Sequence, residues 1–210
     1  MKKVLLIISV VFLFVGCSDS NSIKSDYDKT LDSALSISNT MQYSKEEIEE
    51  YLYRNNFSKE SIDYALEKID DFSNNALLRA RNISNTMQYS KEEIEDYLVR
   101  CGFTNDEIDF ALENISSNSE TNSLKRAKSV SRSMNYSKEE IKDYLERNGF
   151  TKEEIEYAIN NSEIDYNDNA LTRAKSVSRS MNYSNKEIRD YLNRNGFTIE
   201  EIEYAISKLD

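Results

Sequence analysis

The sequence has 210 residues, with 27 lysines and arginines against 38 aspartates and glutamates, and it contains no histidine, proline or tryptophan. The absence of histidine excludes a Cys/His zinc site and a Ser-His-Asp or Cys-His nucleophile. Four glycines are too few for a glycine-rich phosphate loop, and a net charge of −11 argues against nucleic acid as the main partner. This composition favours helices joined by short turns. We therefore expect an all-α protein that is not an enzyme.

Residues 1–16 have the features of a lipoprotein signal peptide. Two lysines precede the apolar run at residues 4–15, which is too short to span a bilayer as a permanent helix. The run Leu-Phe-Val-Gly-Cys at residues 13–17 resembles a bacterial lipobox, in which cleavage before the cysteine leaves a diacylglyceryl-modified N-terminus. We therefore predict a covalent diacylglycerol lipid on Cys17 and no other cofactor. An ordinary signal peptide with an incidental cysteine is the alternative.

Residues 17–29 are polar and show no helical periodicity, so we predict a flexible tether. About twelve flexible residues have a root-mean-square span of only about 20 Å. The folded part of the protein would therefore lie close to the membrane, which limits where it can act.

Four copies of one unit follow the tether. The motif Met-x-Tyr-Ser-x-x-Glu-Ile begins at residues 41, 87, 134 and 181. A fixed spacing of about 47 residues is typical of a helical array in which neighbours complete each other's cores. The alternative is four independent units on short linkers. The predicted repeats are residues 30–70, 75–115, 122–160 and 169–209, with polar connectors between them.

Each repeat is predicted to contain three helices. In the first copy, Ser44 precedes the second helix and Glu47 follows three residues later, which is a capping box. The turn after the second helix contains a glycine in copies two to four, which can adopt the left-handed conformation of a helix C-cap, and Asn56 in copy one. The predicted buried stripes of copy one are Leu31, Ala34, Ser38 and Met41 in the first helix, Ile48, Tyr51 and Leu52 in the second, and Ile62, Ala65, Leu66 and Ile69 in the third.

The second and third helices form a helix-turn-helix-like pair that is braced by the first helix. A phenylalanine follows the turn in every copy and is predicted to fill the space between the helices. These phenylalanines are Phe57, Phe103, Phe150 and Phe197. Thr104, and its counterparts in copies three and four, is predicted to cap the third helix.

The repeats resemble those of the Ltp family of host cell surface-exposed lipoproteins. The resemblance covers residues 31–209 and implies an all-α fold of four tandem three-helix, helix-turn-helix-like repeats after a lipoprotein signal peptide. In copy two the residues that carry it are Ala76-Leu77 with Ala80, Tyr89-Ser90-Lys91 with Ile94 and Leu98, and Phe103-Thr104 with Phe110-Ala111-Leu112. Copies three and four match in the same way.

Some members of that family are encoded by temperate phages and mediate superinfection exclusion by hindering DNA injection. The resemblance therefore implies a lipid-anchored protein at the cell surface, on the outer face of the cytoplasmic membrane. It also implies that the protein is encoded by a Gram-positive bacterium or by its prophage. The implied partner is a phage protein such as a tail or injection component. One rival is a general surface-binding or envelope lipoprotein with no antiviral role. A second rival is a cytoplasmic DNA-binding protein, but the export signal and the acidic charge oppose it, and we expect no sequence-specific binding of nucleic acid.

One aromatic position lies off the predicted buried stripe of the third helix, about 200° round the helix from Ile62. The interpretation that we favour is packing against the first helix or the next repeat, and the alternative is an exposed contact with a partner. The residues at this position are Tyr64, Phe110, Tyr157 and Tyr204.

Cations concentrate in the first helices of copies two to four. Lys125, Lys128 and Arg132 share one helical face, and Lys175 and Arg179 follow in copy four. They either pair with the acidic second and third helices or form a contact stripe for an acidic partner, lipid headgroups or entering DNA.

Overall fold

The computed structural model describes residues 25–69, 71–115 and 119–209. The signal peptide, Cys17 and residues 17–24 of the tether lie outside the described residues, so what the sequence indicates for them stays a prediction. The described residues form twelve α-helices and no strands, which confirms the all-α fold class.

Three consecutive helices form each repeat, and the first and third helices of a repeat pack most extensively on each other. The helices are α1 (Asp26–Met41), α2 (Lys45–Arg54) and α3 (Lys59–Glu67) in repeat 1, and α4 (Ser73–Met87), α5 (Lys91–Arg100) and α6 (Asn105–Asn114) in repeat 2. Repeat 3 contains α7 (Ser119–Met134), α8 (Lys138–Arg147) and α9 (Lys152–Asn161), and repeat 4 contains α10 (Tyr166–Met181), α11 (Asn185–Arg194) and α12 (Ile199–Ser207).

The first helix of every repeat begins two to four residues before its predicted start. At α1 the reason is local, because the Ser25 side chain accepts a hydrogen bond from the backbone N–H of Asp28 and caps the helix. Residues 26–29, predicted as the end of the tether, therefore belong to α1. In the later repeats, polar residues at the borders of the predicted connectors are helical and buried, because they form hydrogen bonds to the preceding repeat.

The predicted capping and turn signals are confirmed. Ser44 and Glu47 form the capping box of α2, and α5, α8 and α11 begin in the same way. Thr104 and Glu107 form the corresponding box of α6. Gly149 has a φ of +74°, and Asn56 adopts the same left-handed conformation in repeat 1 with a φ of +63°.

The buried apolar side chains form one continuous cluster through repeats 1 and 2, and separate clusters in repeats 3 and 4. Phe72, which is only 3% exposed, precedes α4 and belongs to the shared cluster. The equivalent residues in the next two repeats are Ser119 and Tyr166. The phenylalanines after the turns, Phe103, Phe150 and Phe197, are buried as predicted, and Phe57 is half-buried.

Two residues predicted in buried stripes are exposed. Met41 ends α1 next to the left-handed residue Gln42 and projects into solvent at 53% exposure, because the helix stops there. Tyr51 on α2 is 41% exposed. In later repeats the same position is half-buried and the ring lies against the arginine of its own repeat's first helix, whereas Ser33 holds that arginine's position in repeat 1.

Candidate functional site

Adjacent repeats meet through an asparagine and an arginine, four residues apart, near the start of each first helix after repeat 1. Four residues separate neighbours on one helical face, so both side chains point to the preceding repeat. We call each of these contacts a junction. The pairs are Asn75 and Arg79 on α4, Asn122 and Arg126 on α7, and Asn169 and Arg173 on α10.

The asparagine of each junction is buried and uses both of its N–H donors. At the central junction, Asn122 Nδ2 lies 2.9 Å from Ser84 Oγ and 3.0 Å from the Tyr89 carbonyl oxygen. Asn75 and Asn169 make the same two contacts at 2.7–2.9 Å. A buried amide needs such partners, so these bonds fix how the repeats sit together.

The arginine holds a carboxylate, a carbonyl and two rings at once. Arg126 Nη2 donates to Glu93 Oε1 at 2.6 Å, and Nη1 donates to the Met87 carbonyl at 3.3 Å. The guanidinium carbon lies 5.7 Å from the ring centre of Tyr89 and 5.9 Å from that of Tyr144. Both terminal nitrogens of the cation are therefore hydrogen-bonded, and two aromatic rings add cation–π stabilisation. Arg79 and Arg173 repeat the arrangement.

One glutamate serves both the helix start and the junction. Glu93 Oε2 accepts from the backbone N–H of Ser90, which completes the capping box of α5, while Oε1 accepts from Arg126. Glu47 divides its two oxygens in the same way between Ser44 and Arg79. The helix start of one repeat is thereby part of the binding surface for the next repeat.

The turn glycines lie at the junctions. A Cβ atom added to Gly149 would lie 2.6 Å from the Cβ of Glu92 in the preceding repeat, and at Gly102 it would lie 2.9 Å from the Cβ of Glu46. Glycine thus permits close approach of two repeats as well as the left-handed turn. In repeat 1, Asn56 can occupy this position because no described repeat packs against it.

The junctions were not predicted from the sequence. Asn75, Asn122 and Asn169 stand at the borders between the predicted polar connectors and the repeats, and no contact was predicted for them, whereas the structure shows them buried in helices. The signal was present, since Asn-x-x-x-Arg recurs in copies two to four, whereas Lys29 and Ser33 hold these positions in copy one. The alternative of independent units is therefore wrong for the described residues.

Cys101, which the sequence marks only as a neighbour of the turn glycine, lies at the first junction. Its Sγ is 3.6 Å from Arg79 Nη2. In repeat 4 the equivalent Asn195 accepts from Arg173 Nη2 through Oδ1 at 3.1 Å. Cys101 thus stands where an amide acceptor stands in repeat 4, and it is half-buried.

The structure brings three of the candidate basic residues together. Lys125, Lys128 and Arg132 line one open groove of about 600 Å³ on the solvent side of α7. None of the salt bridges among the described residues involves them, so pairing between repeats accounts for the junction arginines but not for this groove. Lys175 and Arg179 of α10 correspond to Lys128 and Arg132 of α7, and they lie outside this groove. The third position of the basic face, Lys125 on α7, is Thr172 on α10.

The four candidate aromatics fall into two groups. Tyr64 packs edge-on against Tyr27 of α1 with ring centres 5.3 Å apart, so packing against the first helix is confirmed for this residue. Repeats 2 to 4 have Ser73, Glu120 and Asn167 at the position of Tyr27, so no ring covers the third helix there. The ring-to-ring contact with the first helix is therefore particular to repeat 1. The rings of Phe110, Tyr157 and Tyr204 are 37–41% exposed.

Comparison with known proteins adds the family. The model of the Ltp lipoprotein family, described as host cell surface-exposed lipoprotein, matches residues 71–115, 118–161 and 165–209. Repeat 1, which lacks the junction asparagine, arginine and glycine, is not among the matched residues. In the described part of the chain, no helix has the length and apolar character needed to span a membrane.

Among solved structures, Ltp, a superinfection exclusion protein from the Streptococcus thermophilus temperate phage TP-J34, is similar at 32% sequence identity, with a TM-score of 0.43. The similarity covers 45% of this chain and 98% of that one. No curated protein matches the chain.

Proposed function

Because the chain belongs to the Ltp family of host cell surface-exposed lipoproteins, we propose that it acts in superinfection exclusion by binding a protein of an incoming phage and blocking entry of the phage DNA. The family match over three consecutive repeats carries this proposal. Some members of the family have this activity. The sequence also lacks histidine, on which many hydrolytic sites depend, and this favours a binding role over hydrolysis.

The place of action follows from the proposed anchor. A lipid on Cys17 would attach the chain to the outer face of the cytoplasmic membrane. Because α1 begins at Asp26, the predicted tether shortens to about nine residues, whose root-mean-square span as a flexible segment would be about 17 Å. The repeats would stay close to the membrane, which favours a block at DNA entry over a block at adsorption.

Two exposed surfaces are proposed to contact the phage protein. The first comprises the third-helix rings of Phe110, Tyr157 and Tyr204, since exposed aromatic side chains often carry a large share of interface energy. The second is the α7 groove, whose three cations suit an acidic surface.

The anchor is tested by expressing the wild type and Cys17→Ala in a phage-sensitive host. Plaque formation, phage adsorption and entry of phage DNA are measured on the same cultures. We expect normal adsorption and blocked DNA entry with the wild type, and loss of protection with Cys17→Ala. Protection that arises from reduced adsorption would contradict the entry block. No protection against a broad phage panel would favour a general envelope lipoprotein.

The contact surfaces are tested with matched sets of substitutions. We expect Phe110→Ser/Tyr157→Ser/Tyr204→Ser to raise the plating efficiency of a blocked phage by at least about tenfold, because hot-spot truncations cost over 1 kcal/mol each. Tyr53→Ser, which removes an exposed ring of α2 outside the repeated aromatic position, is the control.

For the groove, Lys125→Ala/Lys128→Ala/Arg132→Ala is compared with Lys45→Ala/Lys91→Ala/Lys138→Ala. Both sets remove three exposed or half-exposed cations, and the control set lies at the starts of second helices. Equal protection by both sets would remove the groove from the proposal.

A further inference from the structure

In each junction, the preceding repeat supplies the groups that accept hydrogen bonds from the asparagine and the arginine. Repeat 4 carries the same accepting groups. We call this surface the terminal socket. Its parts are the side chains of Ser178, Ser184 and Glu187, the ring and carbonyl of Tyr183, and the carbonyl of Met181. Each lies 47 residues after its counterpart in repeat 3, where the counterparts hold Asn169 and Arg173. Within the described residues, no repeat of this chain occupies the terminal socket.

The terminal socket has the conformation of a junction without its occupant. Ser137 is fully buried and its Oγ donates to the Asn195 carbonyl of the following repeat at 2.6 Å. Ser184, at the same position in repeat 4, is exposed, and its Oγ donates instead to Glu187 Oε2 at 2.7 Å. The backbone of the helix start is unchanged, because the Ser184 and Glu187 capping box is complete.

The terminal socket also carries the charge that an arginine requires. Glu187 Oε2 accepts from Ser184, while Oε1, the oxygen that binds arginine in the junctions, has no hydrogen-bond partner among the described residues. Hydrogen bonds from the Ser184 hydroxyl and backbone N–H lower the pKa of Glu187, which favours its charged form. The C-terminal carbonyls of α10 and the face of Tyr183 add further negative potential.

We propose that the terminal socket binds a helix of a partner protein that presents an arginine four residues after an asparagine. Three occupied junctions in the same molecule define this chemistry: a guanidinium on a carboxylate and a carbonyl, and an amide on a hydroxyl and a carbonyl. The inference does not rest on superinfection exclusion, because it concerns a binding site that purified components can test.

A second copy of this chain does not supply the occupant. The three Asn-x-x-x-Arg pairs on α4, α7 and α10 are engaged in junctions. The equivalent positions of repeat 1 are Lys29 and Ser33, and Lys29 pairs with Asp26 on its own helix. Ser33, at the arginine position, has no guanidinium to bind the Glu187 carboxylate. Lys29, at the asparagine position, has no amide group.

The test uses the full-length chain, labelled with ¹⁵N in detergent micelles, and a synthetic helix as the probe. The probe is the peptide of residues 166–181, which contains Asn169 and Arg173. An isolated helix of this length is marginal in water, so a covalent staple replaces the exposed side chains at positions 175 and 179. We expect the peptide to shift the amide resonances of Tyr183, Ser184 and Glu187.

Substitutions on both sides locate the contact. Glu187→Gln in the chain should weaken binding by at least about tenfold, because a charge-assisted hydrogen bond is lost. Arg173→Lys and Asn169→Ala in the peptide should each weaken binding by a similar factor. Glu200→Gln, which makes the same charge change on α12, should leave binding unchanged.

Four outcomes would overturn the proposal. The first is the absence of any shift at the terminal socket at millimolar peptide. The second is shifts at Tyr136 and Glu140 instead, which would mean that the peptide displaces α10 from its own junction. The third is an equal loss of binding in the Glu187→Gln and Glu200→Gln variants. The fourth is self-association of the chain that Glu187→Gln abolishes, since this would assign the terminal socket to a second copy.

Discussion

The junction arginines illustrate why one residue type recurs three times at the same position. A guanidinium is planar and carries donors along its edge, so it can bind a carboxylate and a carbonyl while its faces rest on two rings. Lysine offers one compact charge and cannot make these contacts together. The arrangement has a cost, because the Nε atoms of Arg79, Arg126 and Arg173 are buried without a hydrogen-bond partner.

A single substitution separates the two reasons for glycine at the turn. Gly149→Asn keeps a residue that tolerates the left-handed conformation, as Asn56 does with a φ of +63°. It also adds a Cβ atom 2.6 Å from the Cβ of Glu92. We expect a loss of about 2 kcal/mol in the free energy of unfolding, since overpacking forces the repeats apart. Urea denaturation followed by circular dichroism measures it.

The control for this prediction is Asn56→Gly, which removes a side chain at a position that no described repeat covers. We expect a change within about 0.5 kcal/mol. If Gly149→Asn were as stable as the wild type, close approach would not be the reason for the glycine.

At the scale of the element, α4 begins without the side-chain cap that most other helices have. Its N-cap residue is Phe72, which is committed to the apolar cluster and makes no capping hydrogen bond. Asp71 compensates, because its Oδ1 accepts from the backbone N–H of Ser73 at 2.7 Å. The hydrogen bonds from the Ser73 side chain and backbone lower the pKa of Asp71.

We predict that Asp71→Ala lowers the free energy of unfolding by about 1 kcal/mol at neutral pH, which is the usual effect of losing a helix cap. Because the pKa is lowered in the folded state, the contribution is present above the unfolded pKa and is lost as the pH falls through the folded pKa. The difference between variant and wild type should therefore shrink in acid. Thermal unfolding between pH 7 and pH 2 checks this, and a difference that grows in acid would contradict it.

At the scale of the whole molecule, the junctions share their polar contacts but differ in apolar contacts. Phe72 extends one apolar cluster through repeats 1 and 2, and Tyr166 of repeat 4 packs against the cluster of repeat 3. Ser119 holds this position at the central junction and contributes no ring. The central junction therefore depends most on Asn122 and Arg126. Apolar contacts therefore join repeat 1 to repeat 2 through a shared cluster and repeat 3 to repeat 4 through Tyr166, and the central junction separates these two pairs.

We predict that Arg126→Ala separates the unfolding of the two pairs of repeats. Loss of the ion pair, the carbonyl bond and both ring contacts should weaken the central junction by about 2 kcal/mol. In an array whose stability is a sum of repeat and interface terms, a weaker interface lets each side unfold independently. Hydrogen exchange measured repeat by repeat in denaturant should show two midpoints.

Arg132→Ala on the same helix is the control, since Arg132 lies in the groove and outside the junction. We expect it to unfold like the wild type, and Arg126→Lys to lie between the two. One shared midpoint in Arg126→Ala would show that the central junction is not the weak point.

The helices, most of their caps, the turn glycines and the four repeats were predictable from the sequence alone, although the first helices begin two to four residues earlier than predicted. These features depend on residues within a few positions of each other, such as Ser44 and Glu47, so local chemistry is sufficient to predict them. The exposed basic face of α7 was also predictable, because helical periodicity alone puts Lys125, Lys128 and Arg132 together.

The roles of Asn122, Arg126 and Gly149 depend on how neighbouring repeats pack, which local sequence does not reveal. Their partners lie in another repeat, more than thirty residues earlier in the chain. A polar residue in a solvated connector and a polar residue buried at a junction look alike in sequence. They differ only in whether a neighbouring repeat packs over the residue and excludes water. The same reason separates Glu187 from Glu93, which have the same local pattern, but among the described residues only Glu93 binds an arginine of a following repeat.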